Sequence, residues 1–355
     1  MIRIPRPLTR LAALGVIAAT AIALAGCGGT TGEDPAATSA STDGAAVPTV
    51  FGAFATPLEE PWDGAIHTAL LEAEEAGLID YEFTDHLETA DAMESALRDV
   101  IADSDPDIIF GDAFAAEDAV REVAAEFPDT AFVFGSGGAE QAPNFSVFDN
   151  WLQDPAYLAG MLAGGLTTSN KIGVVGAMPI PEVNRIVNGF IEGVAETNAD
   201  ATVTVSFINS FYDPATAKQA AEAAISAGAD VLFAERDGVI AAAAENSLPV
   251  IGMMVDQQEQ APDYVVTSLL WHMLPTVKHV VEEVSAGTYE AQNLAEFSFL
   301  VNGGSAIAPI NTGTAFEIPA DLIAAVEARQ AEMEAGSFTT PVNEEAPAGS
   351  TTVGE

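Results

Sequence analysis

Aromatic rings and carboxylates recur just after short apolar segments along this chain of 355 residues. The positions that combine these side-chain types are Trp62, Asp112, Phe114, Phe211, Asp213, Asp237, Asp256 and Trp271. Aromatic faces stack on flat rings, and a few polar groups at the rim fix such a ligand in a pocket. Together they predict a binding site for a flat, polar-edged small molecule, although each alone also fits a packing role. Asp213, directly before Pro214, is equally suited to cap a helix.

Patterns that carry catalysis are missing from the sequence. There is no G-x-S-x-G nucleophile turn, no G-x-G-x-x-G loop and no Walker lysine. The four histidines are His67, His86, His272 and His279, and the last two lie roughly 10 Å apart along a helix axis, too far to share one zinc ion. Carboxylates are too abundant for any pair to be singled out. We therefore expect no enzymatic activity, no metal site and no cofactor.

The elements that position the aromatic and carboxylate residues alternate between strand and helix. Nine strand candidates cover 49–55, 81–87, 107–112, 130–137, 171–178, 202–209, 230–235, 249–254 and 264–271, and 144–150 resembles a tenth. Helical stretches lie between nearly every pair, as in DAMESALRDVIA, whose apolar residues have helical spacing. This alternation predicts an α/β fold with parallel sheets covered on both faces.

The length of the chain favours two doubly wound lobes over one very wide sheet. We place an N-terminal lobe at 48–150 plus 269–336 and a C-terminal lobe at 151–268. Ligands of open α/β sheets bind beyond the carboxyl ends of the strands, so we expect the site in the cleft between the lobes. Residues 337–355 are polar and acidic, and we predict a disordered tail there.

The first 26 residues have the pattern of a secretory signal, with three arginines followed by a run of about fifteen apolar residues. The stretch LAGC at Leu24–Cys27 resembles a bacterial lipobox, which implies cleavage before Cys27 and a lipid on its sulfur. Cys27 is the sole cysteine, and residues 27–47 read as a flexible tether. We expect a lipid-anchored protein on the extracytoplasmic face of the cell membrane. An ordinary cleaved signal, with no lipid on Cys27, is the alternative.

The charge balance is strongly acidic, with 53 acidic and 11 basic residues and a formal net charge of −42. Nucleic-acid binding needs clustered lysine and arginine, so this composition argues against a nucleic-acid partner. The acidic residues are spread along helix faces, which indicates a solvated surface, with adaptation to salty or alkaline surroundings as one explanation.

Four stretches carry a resemblance to a known family. They are GAMPIPEVNRIVNGFIEGV at 176–194, NSFYDPATAKQAAEAAISAGADVLF at 209–233, DPAYLAGMLAG at 154–164 and VVTSLLW at 265–271. They resemble the basic membrane protein family of lipid-anchored ABC importer receptors, over residues 49–311. The resemblance implies the type I periplasmic-binding fold, an ABC permease as partner, and a purine nucleoside or related ligand. It also implies that Trp62 and Phe211 stack on the base.

Two departures from the family pattern bear on the ligand. Met254 stands where an aspartate is common, leaving Asp256, and Trp271 stands where a lysine is frequent. Both changes replace groups that would bind ribose with apolar surface. We therefore expect a free nucleobase or similar flat heterocycle to be preferred over a nucleoside.

Two other functions stay open from the sequence. A ligand-sensing lipoprotein would pass lobe closure to a signalling partner instead of a permease, and an extracellular hydrolase would act on a nucleoside. The missing acid/base pattern argues against the hydrolase.

Overall fold

The computed structural model describes residues 47–114 and 116–354. The predicted signal at 1–26, Cys27 and the predicted tether up to residue 46 therefore lie outside the described residues. Within the described ranges, no helix combines the length and the apolar character that crossing a membrane requires.

The first sheet has five parallel strands in the order β2-β1-β3-β4-β5. Its elements are β1 (Thr49–Ala53), α1 (Pro61–Glu75), β2 (Asp80–Thr84), α2 (Ala90–Ser104), β3 (Ile108–Asp112), α3 (Glu117–Glu126), β4 (Ala131–Gly135) and β5 (Phe145–Phe148). Strands β3 to β5 are buried on both faces because helices cover the sheet, so their sequences are almost wholly apolar, apart from Ser146 and the terminal Asp112. In α2, the buried Met93, Leu97 and Ile101 form the inward stripe, and the Thr89 hydroxyl caps the first turn.

The second sheet has the order β11-β10-β9-β8-β6-β7-β12, with only β10 and β11 antiparallel among its described pairs. Its elements, together with α8, are α4 (Gln153–Leu166), β6 (Lys171–Gly176), α5 (Pro181–Thr197), β7 (Thr202–Phe207), α6 (Pro214–Ser226), β8 (Val231–Ala234), α7 (Val239–Glu245), β9 (Val250–Gly252), β10 (Val265–Trp271), α8 (Leu274–Ala286), β11 (Ser305–Ile307), α9 (Ala320–Glu334) and β12 (Thr351–Thr352). Helices α4 and α5 pack very closely, because Gly160 and Gly193 let one backbone approach the other where a Cβ would overlap it.

This architecture confirms the predicted α/β fold with two parallel-sheet lobes. All ten predicted strand segments overlap an observed strand, from β1 to β10. Pro181 and Pro214 begin α5 and α6, as their positions in the sequence indicate.

The division of the chain after residue 268 differs from the prediction, which assigned 269–336 to the first lobe. Helix α8 does pack on α1, and the backbones of Gln292 and Leu294 hydrogen-bond to Val147 of β5. However, β10 lies wholly in the second sheet, β11 pairs with it, and α9 packs on α4. The first lobe therefore consists of the first sheet with α1 to α3, α8 and the segment around 291–294, and the second lobe takes the rest.

The C-terminal segment 337–354 was predicted to be a disordered tail, and the structure places it in order on the second lobe. The amide of Thr340 donates to the buried Asp154, and Asn184 and Asn188 of α5 donate to backbone carbonyls of residues 343–345. Strand β12 then pairs with the edge of β7. The partners that order this segment are on α4, α5 and β7, so its own polar composition does not reveal them.

Candidate functional site

The loops that follow the strands of the two lobes meet, and a buried ion-pair network joins them. We call Glu60, Glu235 and Arg236 the interlobe network. Glu60 stands before α1 in the first lobe, and Glu235 and Arg236 follow β8 in the second. Arg236 Nη1 donates to Glu60 Oε1 at 3.0 Å, and Arg236 Nη2 donates to Glu235 Oε1 at 2.8 Å. The side chains are no more than 3% exposed, so this contact joins the two lobes in a solvent-excluded region.

Every carboxylate oxygen of the interlobe network has a partner. Glu60 Oε2 accepts from the amides of Trp62 and Asp63 and so caps α1, and Glu235 Oε2 accepts from the amide of Ala177. Burial raises the pKa of Glu60, and the charge of Arg236 partly offsets that rise. Removing one partner from a fully hydrogen-bonded ion pair of this kind strongly destabilises the folded state, because the remaining charge stays buried without a counter-charge.

Aromatic residues from both lobes meet in two places. The Trp62 ring stacks on Phe148, with centroids 5.8 Å apart, and contacts Trp271 at 5.1 Å. Gly135 lies beneath Trp62, where a Cβ would overlap the indole. At the second place, Phe114 meets Phe211 edge to face at 4.8 Å. Trp62 is buried and Phe211 partly exposed, so the two rings expected to hold a base belong to separate contacts in this closed form.

Carboxylates crowd the same region. Asp63 is completely buried, and its Oδ2 accepts from the amide and the hydroxyl of Thr56 at 2.8 and 2.6 Å. Burial, followed by the charges of Asp112 and Glu60, raises the pKa of Asp63 well above its usual value. Burial also raises the pKa of Asp112 to about 7, despite hydrogen bonds from the Phe114 amide and the Ser136 side chain.

Three buried polar atoms at the junction have no hydrogen-bond partner among the described residues. They are Trp62 Nε1, Asp63 Oδ1 and Asn150 Oδ1. Asn150 lies on the first crossing between the lobes, and its Nδ2 donates to the Glu182 carboxyl and contacts Met254 Sδ. Buried polar atoms are normally paired, so a bond from a ligand or from an ordered water would complete each of these three.

The first crossing is itself held by charge. Arg185 of α5 pairs with Asp149, the residue before Asn150, and with Glu344 of the C-terminal segment. Its guanidinium also lies 4.3 Å from the Trp151 ring centroid. Burial raises the pKa of the neighbouring Glu182 to about 8, and the charge of Asp149 adds to this effect. Residues of the motif MPIPEVNR, Glu182 and Arg185, therefore support the crossing between the lobes.

Open space at the junction lies along α1. A cavity of about 500 Å³ is lined by Ala65 and Ala69 of α1, by Met254 and Asp256 after β9, and by Trp271 and Met273. A smaller cavity of about 240 Å³ lies beside it and includes Asp237 and Gln257 in its wall. A third, of about 460 Å³, adjoins Phe114 and Ser136. The first is large enough for a nucleobase.

The predicted site residues thus fall into distinct groups. Asp213 caps α6 through bonds from the Thr216 amide and hydroxyl, and its pKa is lowered by them. Asp256 is exposed and accepts from the amide of Gln258. Asp237 is half-buried, with Gln257 Nε2 3.5 Å from its Oδ1. The others, Trp62, Asp112, Phe114, Phe211 and Trp271, lie at the contact between the lobes.

Sequence reasoning missed Glu60, Asp63, Asn150 and the pairing of Arg236. The signal available for Glu60 was its position directly before a proline that begins a helix, which is typical of a cap. An arginine two residues beyond a buried strand, as Arg236 is, also indicates a buried partner. Three residues after strands, Ser136, Asn209 and Met254, have φ between 57° and 67°, the left-handed conformation that is concentrated in functional loops.

Within 47–114 and 116–354, no group of three or more histidine, cysteine, aspartate or glutamate side chains has the arrangement of a metal site. The chemistry that the junction offers is recognition by stacking and hydrogen bonding.

Known proteins resemble this chain in sequence and in fold. A family model described as Bmp, ABC transporter substrate-binding protein PnrA-like, matches residues 59–297. A protein of Haloferax volcanii named putative ABC transporter glucose-binding protein TsgA13 is 31% identical over 215 residues, 60% of this chain and 54% of that protein, so the match spans about half of that relative. A purine-binding protein of Brucella abortus is 28% identical over 263 residues, 73% of this chain and 72% of that protein.

A solved structure of an ABC transporter solute-binding protein from Conexibacter woesei superposes with a TM-score of 0.68 at 25% identity, over 83% of this chain and 99% of that one. Because the family model covers well over half of the chain, including the interlobe network and both aromatic contacts, the family is established. This chain belongs to the Bmp family of ABC transporter substrate-binding proteins, the family described as PnrA-like.

Proposed function

We propose that this protein binds a purine nucleobase or a similar flat heterocycle between its lobes and delivers it to an ABC permease. One observation carries the proposal: aromatic rings from both lobes meet beyond the strands, at Trp62 with Trp271 and at Phe114 with Phe211. Rings supply faces for stacking, and the polar atoms supply the few directed bonds that fix orientation. The purine-binding relative from Brucella abortus supports the same ligand class.

The proposed ligand-binding residues are Trp62, Asp112, Phe114, Phe211, Asp237, Asp256 and Trp271, with Asp213 acting through the cap of α6. The apolar wall formed by Met254 and Trp271 around the 500 Å³ cavity favours a base without ribose, because this wall offers few bonds to sugar hydroxyls. Burial of the ligand between the closed lobes would supply the binding free energy. Ligand binding therefore shifts the equilibrium of the protein toward its closed form.

Anchoring through Cys27 completes the proposal. A lipid on this cysteine would keep the receptor at the extracytoplasmic face, close to its permease. Mass spectrometry of the mature N-terminus should find cleavage before Cys27 and a diacylglycerol on its sulfur. A mature protein that begins at a residue other than Cys27 and carries no lipid would contradict the proposed anchor. The ligand proposal would be unaffected by that result.

A thermal-shift screen against nucleobases, nucleosides, sugars and amino acids tests the ligand. A ligand at 100 times its Kd adds about 2.7 kcal/mol to the free energy of unfolding, which is readily measured. We expect purine-type compounds to raise the melting temperature and the free bases to do so more than their nucleosides. Stabilisation by amino acids alone would contradict the proposal.

A sugar is the second candidate, because the Haloferax relative is named for glucose. Aromatic faces also pack on sugar rings, so the rings alone do not separate the two classes. Stabilisation by glucose without any response to purines would favour this candidate.

A further inference from the structure

The C-terminal segment 337–354 is attached to the second lobe at several points along its length. At its start, the ring centroids of Phe338 and Tyr157 are 5.1 Å apart, and the guanidinium carbon of Arg329 lies 4.1 Å from the Phe338 centroid. Further along, the amide of Thr340 donates to Asp154 Oδ1 at 2.7 Å. At the other end, β12 pairs with the edge of β7. The segment therefore runs across the lobe from α4 to the edge of the second sheet.

Arg185 of α5 links this segment to the first crossing between the lobes. Its Nη1 lies 3.3 Å from Glu344 Oε1 of the segment. Its Nη2 donates to Asp149 Oδ2 and to the carbonyl oxygen of Asn150, both at 2.5 Å. The Arg185 side chain is 3% exposed, so water competes little for these bonds. One guanidinium therefore contacts the segment with one nitrogen and the crossing with the other.

The contacts of the crossing locate its pivot. Phe148 belongs to the first lobe, because it pairs with β4 and its ring stacks on Trp62. Asp149 and Asn150 belong to the second lobe, because Arg185 binds both of them. The side chain of Asn150 also donates to a carboxyl group of α5. As long as Arg185 keeps these contacts, a relative movement of the lobes must be taken up between Phe148 and Asp149.

The attachment of the segment to α5 is weaker than the packing of the core. Asn184 and Asn188 hold the segment through their side-chain nitrogens, which donate to backbone carbonyls of residues 343–345. However, Asn184 Oδ1 and Thr340 Oγ1 are buried without a hydrogen-bond partner among the described residues, and residues 341–346 are exposed. Few buried contacts and exposed hydrogen bonds are typical of segments that open locally. We therefore expect the segment to leave α5 while the lobes stay folded.

We propose that the C-terminal segment controls the hinge of this protein through Arg185. While the segment is seated, Glu344 helps to hold the guanidinium on the crossing, and the crossing bends only next to Phe148. When the segment leaves α5, the guanidinium becomes exposed to water and its ion pair with the crossing weakens. Bending then extends through Trp151, and the lobes open more readily. This inference goes beyond the proposed function and does not depend on which ligand binds.

Hydrogen exchange of the full chain tests the coupling between the segment and the crossing. The double variant Asn184→Ala/Asn188→Ala loses the side-chain bonds from α5 to the backbone of the segment. We expect exchange to rise at least about tenfold at residues 343–352 and, together with it, at residues 149–152. Asn198→Ala is the matched control, because Asn198 lies at the other end of α5 and donates to groups near the end of α4. It should leave exchange in both regions unchanged.

Small-angle X-ray scattering of the ligand-free variants tests the consequence for the lobes. We expect a larger radius of gyration in the double variant than in the wild type, and no change in Asn198→Ala. A rise in exchange confined to residues 343–352 would overturn the inference, because the segment would then be released without freeing the crossing. Unchanged exchange in both regions, or an unchanged radius of gyration, would overturn it as well.

The wild-type protein provides a test that needs no variant and stands if the double variant does not fold. Exchange measured at increasing, low concentrations of urea gives the free energy of local opening for each region and its dependence on urea. We expect residues 149–152 and 343–352 to share both quantities, and their opening free energy to lie below that of the buried parts of α4 and α5. Different values for the two regions would show that they open independently and would refute the inference.

Discussion

At the scale of single residues, the closed arrangement depends on one guanidinium placed between two buried carboxylates. Arg236 is 3% exposed and bonds to Glu60 across the lobes and to Glu235 within its own. It also donates to the carbonyl of Phe211, which ties the loop carrying that ring to the same centre. Burial favours the neutral form of Arg236, but Glu235 and Glu60 outweigh this effect and raise its pKa. The arginine therefore stays charged whenever both carboxylates are ionised.

Replacing this arginine tests its role in closure. Arg236→Met leaves Glu60 and Glu235 buried without a cation, and we expect it to lower the free energy of unfolding by about 3–5 kcal/mol. We also expect a larger radius of gyration in scattering, since the lobes lose their main charged contact. Arg98→Met, which breaks surface pairs with Glu94 and Glu126, is the control and should barely move the melting temperature. Similar effects of the two variants would contradict the account.

Asp112 predicts a pH dependence with a defined sign. Its folded pKa is raised to about 7 by burial, and the acids that face it include Glu60, Asp63 and Asp149. Below the ordinary pKa of aspartate, both the folded and unfolded states hold the proton. As the pH rises from the ordinary pKa of aspartate to about 7, the unfolded state releases the proton of this carboxyl and the folded state keeps it. The free energy of unfolding therefore falls over this range.

Asp112→Asn should therefore stabilise the ligand-free protein at pH 8, by up to about 4 kcal/mol, and have little effect near pH 4. Urea unfolding of both proteins at the two pH values measures the difference. A variant that is less stable than the wild type at pH 8 would show that the charged form of Asp112 is favoured in the folded protein.

That the loops after the strands bind the ligand stays a prediction, and the structure adds residues that the sequence did not single out. Loops after strands were identified because aromatic and acidic residues concentrate there, and five of the eight positions lie at the contact between the lobes. Asp213 is satisfied within its own helix turn, which a local pattern can reveal. The Glu60 to Arg236 bond joins positions 176 residues apart, and no local pattern in one sequence specifies such a pairing.

At the scale of elements, α5 organises the crossing between the lobes. One face carries Arg185, which pairs with Asp149 at the crossing and with Glu344 from the C-terminal segment. One turn later, Asn188 donates to the carbonyls of Asn343 and Glu345. The helix thereby fixes both the entry into the second lobe and the segment that ends the chain.

Asn188→Ala tests this use of the helix. It removes two bonds to backbone carbonyls, and we expect a loss of about 1–3 kcal/mol in the free energy of unfolding. Hydrogen exchange should rise in residues 343–352, because the strand pairing of β12 depends on the same segment. Asn302→Ala, whose exposed side chain bonds only to a carbonyl six residues away, is the control. Unchanged exchange in the C-terminal segment would contradict the proposed attachment.

Elements were predictable where a pattern is local. Strands β1 to β10 and helix α2 follow from apolar runs and from helical spacing, which burial on one or both faces imposes. The lobe assignment of α9 was not predictable, because its apolar stripe of Leu322, Val326 and Met333 shows that it packs but not on what. The lobe assignment of β12 was not predictable either, because this strand of two residues depends on pairing with the open edge of β7.

At the scale of the whole molecule, charge is the dominant feature. The chain has 53 acidic residues against 11 basic ones, and six of the eight cations within 47–114 and 116–354 are already in ion pairs with carboxylates. Most acids therefore have no cation nearby, and they repel one another across the surface. The hydrophobic cores and the buried interlobe network stabilise the fold against this repulsion.

Salt should offset that repulsion. We expect the melting temperature to rise steadily as potassium chloride increases from about 10 mM to 1 M, since the Debye length falls from about 30 to 3 Å over this range. Potassium sulfate at equal ionic strength is the comparison that separates charge screening from general salting-out. Sulfate screens the charges and also salts out the protein surface, whereas chloride mainly screens. A melting temperature that is independent of salt would remove the case for salt adaptation.

Closure of the lobes on a purine is the central claim, and small-angle X-ray scattering with and without ligand tests it most directly. The account predicts that the purified protein becomes more compact with a saturating purine base, with a smaller radius of gyration, and does not respond to glucose. Compaction with glucose and none with any purine would contradict it.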